Sequence, residues 1–364
     1  MPIDIIKIFV PATLAFTIGI LSAPILAHYL YTYKAWKKQG GKGVGIGGGG
    51  TPLFDELHRE REVSTPRMGG ILIWSSVLFT ILGVSVLAVV FPHPFIQKLE
   101  FFSRDQTWIP LMTLIVGGLV GFIDDYLEIR HIPSGTTRVL GGLSLSKRLC
   151  IVGALGLFVG WWFFVKLGVS SIGLPFLGAF SLGIFFIPFF IAVVLLLYAS
   201  GTIDGIDGLS GGIFAIIFAA YAGIAFSQDQ INLAAFSAAL SGATLAFLWF
   251  NVPPARFYMS ETGTMALTIT LAVIVFLTDM RGEGSGIMVL PIIAFPLIGT
   301  VFTTVLQVVS KKFFGKKIFR VAPIHHHFEA IGWPAHKVTM RYWIITMMGA
   351  VLGLIIALLH THGI

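Results

Sequence analysis

The residues able to do chemistry stand in four short polar segments of a largely apolar sequence. The segment GFIDDYLE, residues 121–128, holds the adjacent carboxylates Asp124 and Asp125. Successive residues on a helix point about 100° apart, so these two cannot easily hold one ion together. One of them can act as a base or a metal ligand while its neighbour binds a Lys or Arg. Two acids that merely end an apolar helix at the water boundary would give the same pattern.

A second carboxylate pair, Asp204 and Asp207, lies among glycines in SGTIDGIDGLSGG, residues 200–212. On a helix the two would share a face, and the glycines would let backbone N–H groups approach a ligand. This pattern indicates recognition of a polar ligand such as a nucleoside. The alternative is a Gly-rich turn that caps the following helix.

The third segment, FNVPPARFYMSETGT (250–264), has Glu261 as its only acid, near the aromatic residues Phe257 and Tyr258. Glu261 can hold a divalent ion while a ring stacks on a base. Alternatively, it lies in the first turn of a helix, where the helix dipole favours a carboxylate.

The fourth segment, VAPIHHHFEAIGW (321–333), has three consecutive His residues, of which His325 and His327 would lie on one side of an extended chain. The ligand spacings of known zinc sites are absent from the sequence, so a metal site is disfavoured. Imidazoles that contact a pyrophosphate are the favoured interpretation, and a surface His cluster is the alternative.

Long apolar runs must position these segments. The 364 residues are 56% hydrophobic and 11% charged, whereas soluble proteins carry about 25% charged residues, so a water-soluble fold is excluded. A helix needs about 20 apolar residues to cross a bilayer. Ten such runs predict an all-α integral membrane protein with a single domain over 1–364: residues 5–31, 69–90, 108–123, 149–167, 183–200, 211–227, 232–250, 264–279, 287–309 and 342–360.

The basic residues predict the orientation of these helices. Of the 24 Lys and Arg residues, 19 lie within the stretches 32–67, 124–148, 251–263 and 310–341. By the positive-inside rule these loops face the cytoplasm and both termini lie outside. The membrane orientation therefore explains the excess of basic residues without binding to nucleic acid. The four polar segments fall at the same side, so the active site is predicted to be built from cytoplasmic loops.

Glycine and proline mark two further features. The stretch 40–50 has eight glycines in eleven residues and is predicted to be a flexible linker within the first cytoplasmic loop. The ninth apolar run contains Pro291 and Pro296 and is predicted to bend or break.

Carboxylates, a His tract and a basic loop on one membrane face together indicate phosphoryl transfer. In such a reaction Mg²⁺ and basic side chains neutralise a diphosphate while a carboxylate assists the nucleophile. A water-soluble phosphorylated donor would meet a lipid-borne acceptor there. The apolar runs lack ionisable residues at their centres, which disfavours a transporter.

Five motifs, in this order and with ten spans, resemble the phospho-N-acetylmuramoyl-pentapeptide-transferases of the polyprenyl-phosphate N-acetylhexosamine-1-phosphate transferase superfamily. They are STPRMGG (64–70), GFIDDYLE (121–128), DGIDGL (204–209), FNVPPA (250–255) and PIHHHFE (323–329). The resemblance implies an enzyme of the bacterial inner membrane, with a homodimer expected. It would transfer phospho-MurNAc-pentapeptide from UDP to undecaprenyl phosphate, with Mg²⁺, and release UMP.

The resemblance also implies roles for individual residues. Asp124 falls on the base or nucleophile and Asp125 on its partner, and direct attack by the lipid phosphate is favoured over a covalent intermediate. Glu261 with Asp124 falls on the Mg²⁺ site, and Asn251 and His325 fall on residues needed for activity. The donor-binding positions are Arg67, Asp204, Gly205, Ile206, Asp207, Tyr258 (which would stack on uracil), His326 and His327.

Several positions depart from the family pattern. Glu62 and Glu128 replace Lys; the remaining departures are Arg67 for Thr, Gly201 for Asn, and Ser260-Glu261 for Gly-Asp. The two acidic replacements would repel a diphosphate unless Arg61, Arg67 and Arg130 compensate. These changes keep two alternatives open: a related transferase with another UDP-sugar donor, and a catalytically weak paralogue that binds or scaffolds.

Overall fold

The computed structural model describes residues 2–38, 63–104, 106–130, 142–279 and 284–363. The predicted linker at 40–50 lies outside these residues, and so do Arg61 and Glu62.

The described chain is a bundle of helices, ten of which are long and apolar enough to cross a membrane. This confirms the number of spans predicted from the apolar runs. Among the helices named below, the short α3, α10 and α12 are not candidate spans. The helices are α1 (Pro2–Thr32), α2 (Ile71–Val90), α3 (Pro94–Leu99), α4 (Trp108–Arg130), α5 (Leu145–Lys166), α6 (Phe186–Ser200), α7 (Leu209–Ser227), α8 (Ile231–Asn251), α9 (Ser260–Leu277), α10 (Gly286–Ile293), α11 (Phe295–Phe314), α12 (Ile324–Ala330) and α13 (Ala335–Thr361).

A two-stranded hairpin between α5 and α6 was not predicted. Strands β1 (Ser171–Leu174) and β2 (Gly178–Ser181) pair antiparallel, with Ser171 opposite Ser181 and Leu174 opposite Gly178. Gly178 has a positive φ of 88°, which glycine adopts without strain and which lets the chain reverse here. The strands have only four residues each, too few to show an alternating pattern in the sequence.

Helices α7, α8 and α9 form the centre of the bundle. In each of these helices, protein buries 78–89% of the most apolar 18-residue stretch, compared with 17% of the corresponding stretch in α1. Small residues allow this close packing because they let helix backbones approach each other. In lipid the hydrophobic effect does not drive helices together, so their association depends on van der Waals contact. Gly242 of α8, for example, lies directly against the backbone of Ala12 in α1, where a Cβ would clash.

The ninth apolar run is broken into α10 and α11, as its prolines predict. Residue Ala294 separates the two helices, and Pro296 lies in the first turn of α11. A proline in the first turn is tolerated because its missing N–H would have no intrahelical partner there, whereas a continuous helix would lose a hydrogen bond.

Two glycine contacts bring polar helix ends together. Gly121 of α4 lies against the backbone of Glu261 and Thr262 at the start of α9. Gly70, just before α2, lies against the backbone of Gly263 in the same turn of α9. The C-terminal end of α4 and the N-terminal end of α9 are therefore side by side, and this packing positions the carboxylates of both helices.

Candidate active site

Asp125 anchors three separate parts of the chain and is itself completely buried. One carboxylate oxygen, Oδ1, accepts hydrogen bonds from Nε and Nη2 of Arg67 at 3.2 and 3.1 Å. The other, Oδ2, accepts from the backbone N and the Oγ1 of Thr262 at 2.8 and 2.6 Å. Because both oxygens are engaged, Asp125 holds the site together and is poorly placed to act on a substrate.

Asp124 and Glu261 meet at one guanidinium group. Nη1 of Arg148 lies 2.6 Å from Oε1 of Glu261 and 3.6 Å from Oδ2 of Asp124. The other oxygen of Asp124 accepts a hydrogen bond of 2.6 Å from the backbone N of Leu143. Two carboxylates from different helices thus converge on a single cation, near the membrane boundary of the bundle.

Arg148 was missed by the sequence reasoning, which counted it only as a basic loop residue. It is the fourth residue of α5, whose first turn has its N-cap at Ser144. A cation is disfavoured at the N-terminus of a helix by the helix dipole. A basic residue in such a position is a signal that acidic partners elsewhere compensate, and this signal was available in the sequence.

Glu128, one of the departures from the family pattern, pairs with two cations. Its carboxylate pairs with Nζ of Lys37 at 3.1 Å and with Nη2 of Arg67 at 3.0 Å. Arg130, the candidate compensating residue, lies over the ring of Tyr126 at 5.0 Å instead. Residues two apart on a helix do not face each other, so Lys37 and Arg67 compensate Glu128 and Arg130 does not.

Arg67 was expected to contact the donor, and the structure directs its guanidinium inward to Asp125 and Glu128. The side chain bridges two carboxylates that are three residues apart on α4 and therefore lie on the same face of the helix. Arg67 acts in this structure as a cation that fixes the carboxylates.

The turn between α6 and α7 is held to the start of α9 by side chains predicted to bind the donor. Asp204 accepts hydrogen bonds from Oγ of Ser210 at 2.6 Å and from the backbone N of Ser260 at 2.8 Å. Burial raises the pKa of Asp204, and these hydrogen bonds oppose the shift because they favour the charged form. Asp207 accepts from the backbone N of Ala255 at 3.1 Å.

Asp204 and Asp207 do not share a helical face, because the chain from 204 to 208 lies between a 3₁₀ turn and α7. Ile206, between them, is buried in the protein, so its side chain does not point to a ligand.

Asn251, the last residue of α8, uses both ends of its side-chain amide. Its Oδ1 accepts a 3.0 Å hydrogen bond from the backbone N of Gly208, and its Nδ2 donates to the backbone O of Phe257 at 2.9 Å. The residue fixes the 204–208 turn relative to the loop before α9. It contributes to the site by holding its backbone.

The three consecutive His residues divide into two groups. His325 and His326 are buried, with ring centroids 4.3 Å apart, and Nδ1 of His326 lies 2.8 Å from Oε2 of Glu329. The ring of His326 lies so close to Gly205 that a Cβ there would clash. His325 and His326 therefore lie beside the 204–208 turn.

His327 points elsewhere, because its Nδ1 accepts a hydrogen bond from the backbone N of Arg320 at 3.2 Å. The expectation that His325 and His327 share one side is wrong, since residues 324–330 form the helix α12 and not an extended chain. Residues two apart on a helix point in different directions.

Tyr258 is the half-buried aromatic residue of this region. Its backbone binds the segment before α2 in both directions: the N donates to the O of Pro66, and the O accepts from the N of Gly69, each at 2.8 Å. The neighbouring Phe257 is completely buried, with its ring 5.8 Å from that of Phe247. Of these two residues, only Tyr258 is partly exposed.

The residues fit a divalent cation bound by two carboxylates. Mg²⁺ commonly binds proteins through one or two carboxylates and completes its shell with water and substrate phosphates. Asp124 and Glu261 both lie close to one guanidinium nitrogen, so they are the carboxylates that would bind such an ion. Within the described ranges there is no cluster of three or more His, Cys, Asp or Glu residues suited to a metal, so further ligands would come from water or substrate.

Ten of the helices are long and apolar enough to cross a membrane, and the family model for glycosyl transferase family 4 matches residues 107–279, which indicates a membrane-embedded transferase. Three similar proteins bear the name phospho-N-acetylmuramoyl-pentapeptide-transferase. That of Shouchella clausii is 31% identical over 82% of this chain and 85% of its own length. Those of Caldanaerobacter subterraneus and Anoxybacillus flavithermus are each 30% identical, over 94% and 95% of this chain and 96% of their own lengths.

The chain belongs to the phospho-N-acetylmuramoyl-pentapeptide-transferase family. This confirms the family that the five motifs indicated and the interpretation of the chain as a multi-pass bacterial membrane enzyme.

Proposed function

We propose that this chain transfers phospho-MurNAc-pentapeptide from its UDP carrier to undecaprenyl phosphate and releases UMP. Relatives named for this transfer match the chain over most of its length. Within the molecule, the observation that carries the proposal is the convergence of Asp124 and Glu261, from two different helices, on one cation.

In the proposed reaction, an oxygen of the lipid phosphate attacks the phosphorus attached to the sugar. The bond between the two donor phosphates breaks, and its electron pair leaves with UMP. The protein's main task is to stabilise negative charge on the phosphates during this exchange.

Asp124 acts on the attacking phosphate in this proposal. Its Oδ1 is held by Leu143, which leaves Oδ2 to take or hold a proton of the lipid phosphate. We propose direct attack, because it needs one displacement and a covalent intermediate on Asp124 would need two. When bound, Mg²⁺ would neutralise and orient the diphosphate oxygens, with Asp124 and Glu261 as its protein ligands.

Donor binding is proposed at the neighbouring turn. Tyr258 would stack on uracil, and the backbone around Gly205 would approach the nucleoside. His325 and His326 lie beside the same turn and would contact the diphosphate. The position of His327 supports a structural role for that residue.

We further propose that the site faces the cytoplasm of a bacterial inner membrane and that the enzyme is a homodimer. The distribution of basic residues supports the orientation, since 19 of 24 lie on the site's side of the predicted topology. Cysteine accessibility in intact cells tests the orientation, and light scattering of the purified protein tests the dimer.

The decisive experiment measures UMP release by the purified full chain, with undecaprenyl phosphate and Mg²⁺, from a panel of UDP-sugars. Release from UDP-MurNAc-pentapeptide, abolished in Asp124→Asn, is the expected result. Release only from a different UDP-sugar would favour the alternative of a related transferase. Glu128, where the family pattern has Lys, keeps this alternative open. No release from any donor by a well-folded preparation would favour the binding or scaffold protein.

A further inference from the structure

Arg148 lies between Asp124 and Glu261, the two carboxylates proposed to bind the divalent cation. Its Nη1 lies 2.6 Å from the Glu261 carboxylate and 3.6 Å from that of Asp124. A Mg²⁺ ion binds carboxylate oxygen at about 2.0–2.1 Å and keeps a rigid octahedral shell. The guanidinium and the ion therefore cannot occupy this place together.

The charges of the surrounding network make this exchange favourable. Within the part of the chain that the structure describes, ion pairs join four carboxylates to three cations. They are Asp124, Asp125, Glu128 and Glu261, with Lys37, Arg67 and Arg148. Among these described residues the carboxylates outnumber the cations by one, which favours the binding of a further cation.

Arg148 is also incompletely satisfied where it lies. Its Nε is buried and has no hydrogen-bond acceptor among the described residues, although a buried donor normally has one. The side chain is a quarter exposed, so a rotamer change can move the guanidinium away from Glu261 without moving α5.

We propose that Arg148 is an internal cation that holds the metal position closed and must leave Glu261 before a divalent ion binds. Arg148 thereby sets the metal affinity of the site. This inference rests on the proposed function for the identity of the ion, and it makes a separate statement about binding that does not require turnover.

Mn²⁺ binding tests the proposal directly. The free ion is measured by electron paramagnetic resonance during titration of the purified full chain without donor or lipid acceptor. Arg148→Gln should bind Mn²⁺ at least about tenfold more tightly, because it removes a positive charge a few ångströms from the ion. Arg148→Lys, which keeps the charge, should bind close to the unchanged chain.

Lys147→Gln is the matched control. It removes the same charge from the adjacent, exposed residue of α5, which is not part of the ion-pair network, so affinity should stay within about twofold. Adding Glu261→Gln to Arg148→Gln should abolish the gain. Unchanged or weaker Mn²⁺ binding in folded Arg148→Gln would overturn the proposal.

A second measurement uses the unchanged chain, so it tests the proposal even if Arg148→Gln does not fold. Saturating Mn²⁺ should increase the modification of Arg148 by phenylglyoxal, quantified by peptide mass spectrometry, while Arg130 is unaffected. An unchanged or reduced modification of Arg148 would contradict displacement. Mn²⁺ binding with displacement but without UMP release would refute the proposed function alone; UMP release without displacement would refute only this inference.

Discussion

Replacing Gly121 by Ala should disable the site without unfolding the protein. Gly121 lies where α4 meets the first turn of α9, and a Cβ there would lie 2.8 Å from Cα of Thr262 and still closer to the carbonyl of Glu261. Ordinary van der Waals contact begins at 3.4 Å. The two helix ends must therefore separate by about 0.6 Å or more, because neither neighbour is a flexible side chain.

The separation acts directly on the carboxylates. Asp124 and Asp125 follow Gly121 by one turn of α4, and Glu261 and Thr262 are the residues displaced. Overpacking of this size costs about 1–3 kcal/mol of stability. A misplacement of about 1 Å can cost on the order of a hundredfold in rate. We expect Gly121→Ala to lower kcat for UMP release by one to two orders of magnitude. The thermal unfolding midpoint should fall only modestly, because the protein stays folded.

Gly83→Ala in α2 is the matched control, because nothing lies within 4 Å of a Cβ at that position. Alanine is the better helix former by about 1 kcal/mol, so this variant should keep its activity and should keep or raise its unfolding midpoint. If Gly121→Ala has the same kcat and midpoint as Gly83→Ala, the reasoning about helix contact at the site is refuted.

Three further predictions follow from single contacts. Thr262→Val removes the 2.6 Å hydrogen bond to buried Asp125 and should lower stability by about 1.5–3 kcal/mol, which thermal unfolding would detect; an unchanged midpoint would contradict it. Gly205→Ala should displace the ring of His326 and raise the KM for the donor more than it lowers kcat, in steady-state assays. Burial raises the pKa of Asp279 to about 7, so the carboxyl binds its proton more tightly in the folded protein than in the unfolded chain. Its contribution to stability is therefore largest below about pH 4 and is lost as the pH rises to about 7, at most about 4 kcal/mol. Unfolding midpoints measured across this range should fall in the unchanged chain more than in Asp279→Asn.

The spans and the broken ninth helix could be predicted because their causes are local. A run of about 20 apolar residues is sufficient to cross a bilayer, whatever the rest of the chain does. Pro296 interrupts a helix through its own ring and its missing N–H. The helix at 324–330 could not be predicted in the same way. Seven residues form too short a helix to be stable alone, so packing around His325 and His326 decides its conformation.

Partners in the site could not be predicted because they depend on which helices pack together. Arg148 is 113 residues from Glu261, and Arg67 is 58 residues from Asp125. The sequence identified the carboxylates by their position at helix ends, yet it carried no information on which cation each would meet. Helix packing through Gly121 and its contacts determines those pairs.

Loss of activity in a variant does not by itself identify a catalytic group in this site. Asn251 and Asp125 both fall on positions that the family resemblance links to activity, and in this structure both use their polar atoms on the protein itself. Asp124 differs, because one of its oxygens faces a cation that bound metal would displace. Removal of Asn251 should therefore disturb donor binding and stability together, whereas Asp124→Asn should stop turnover in a folded protein that still binds the donor.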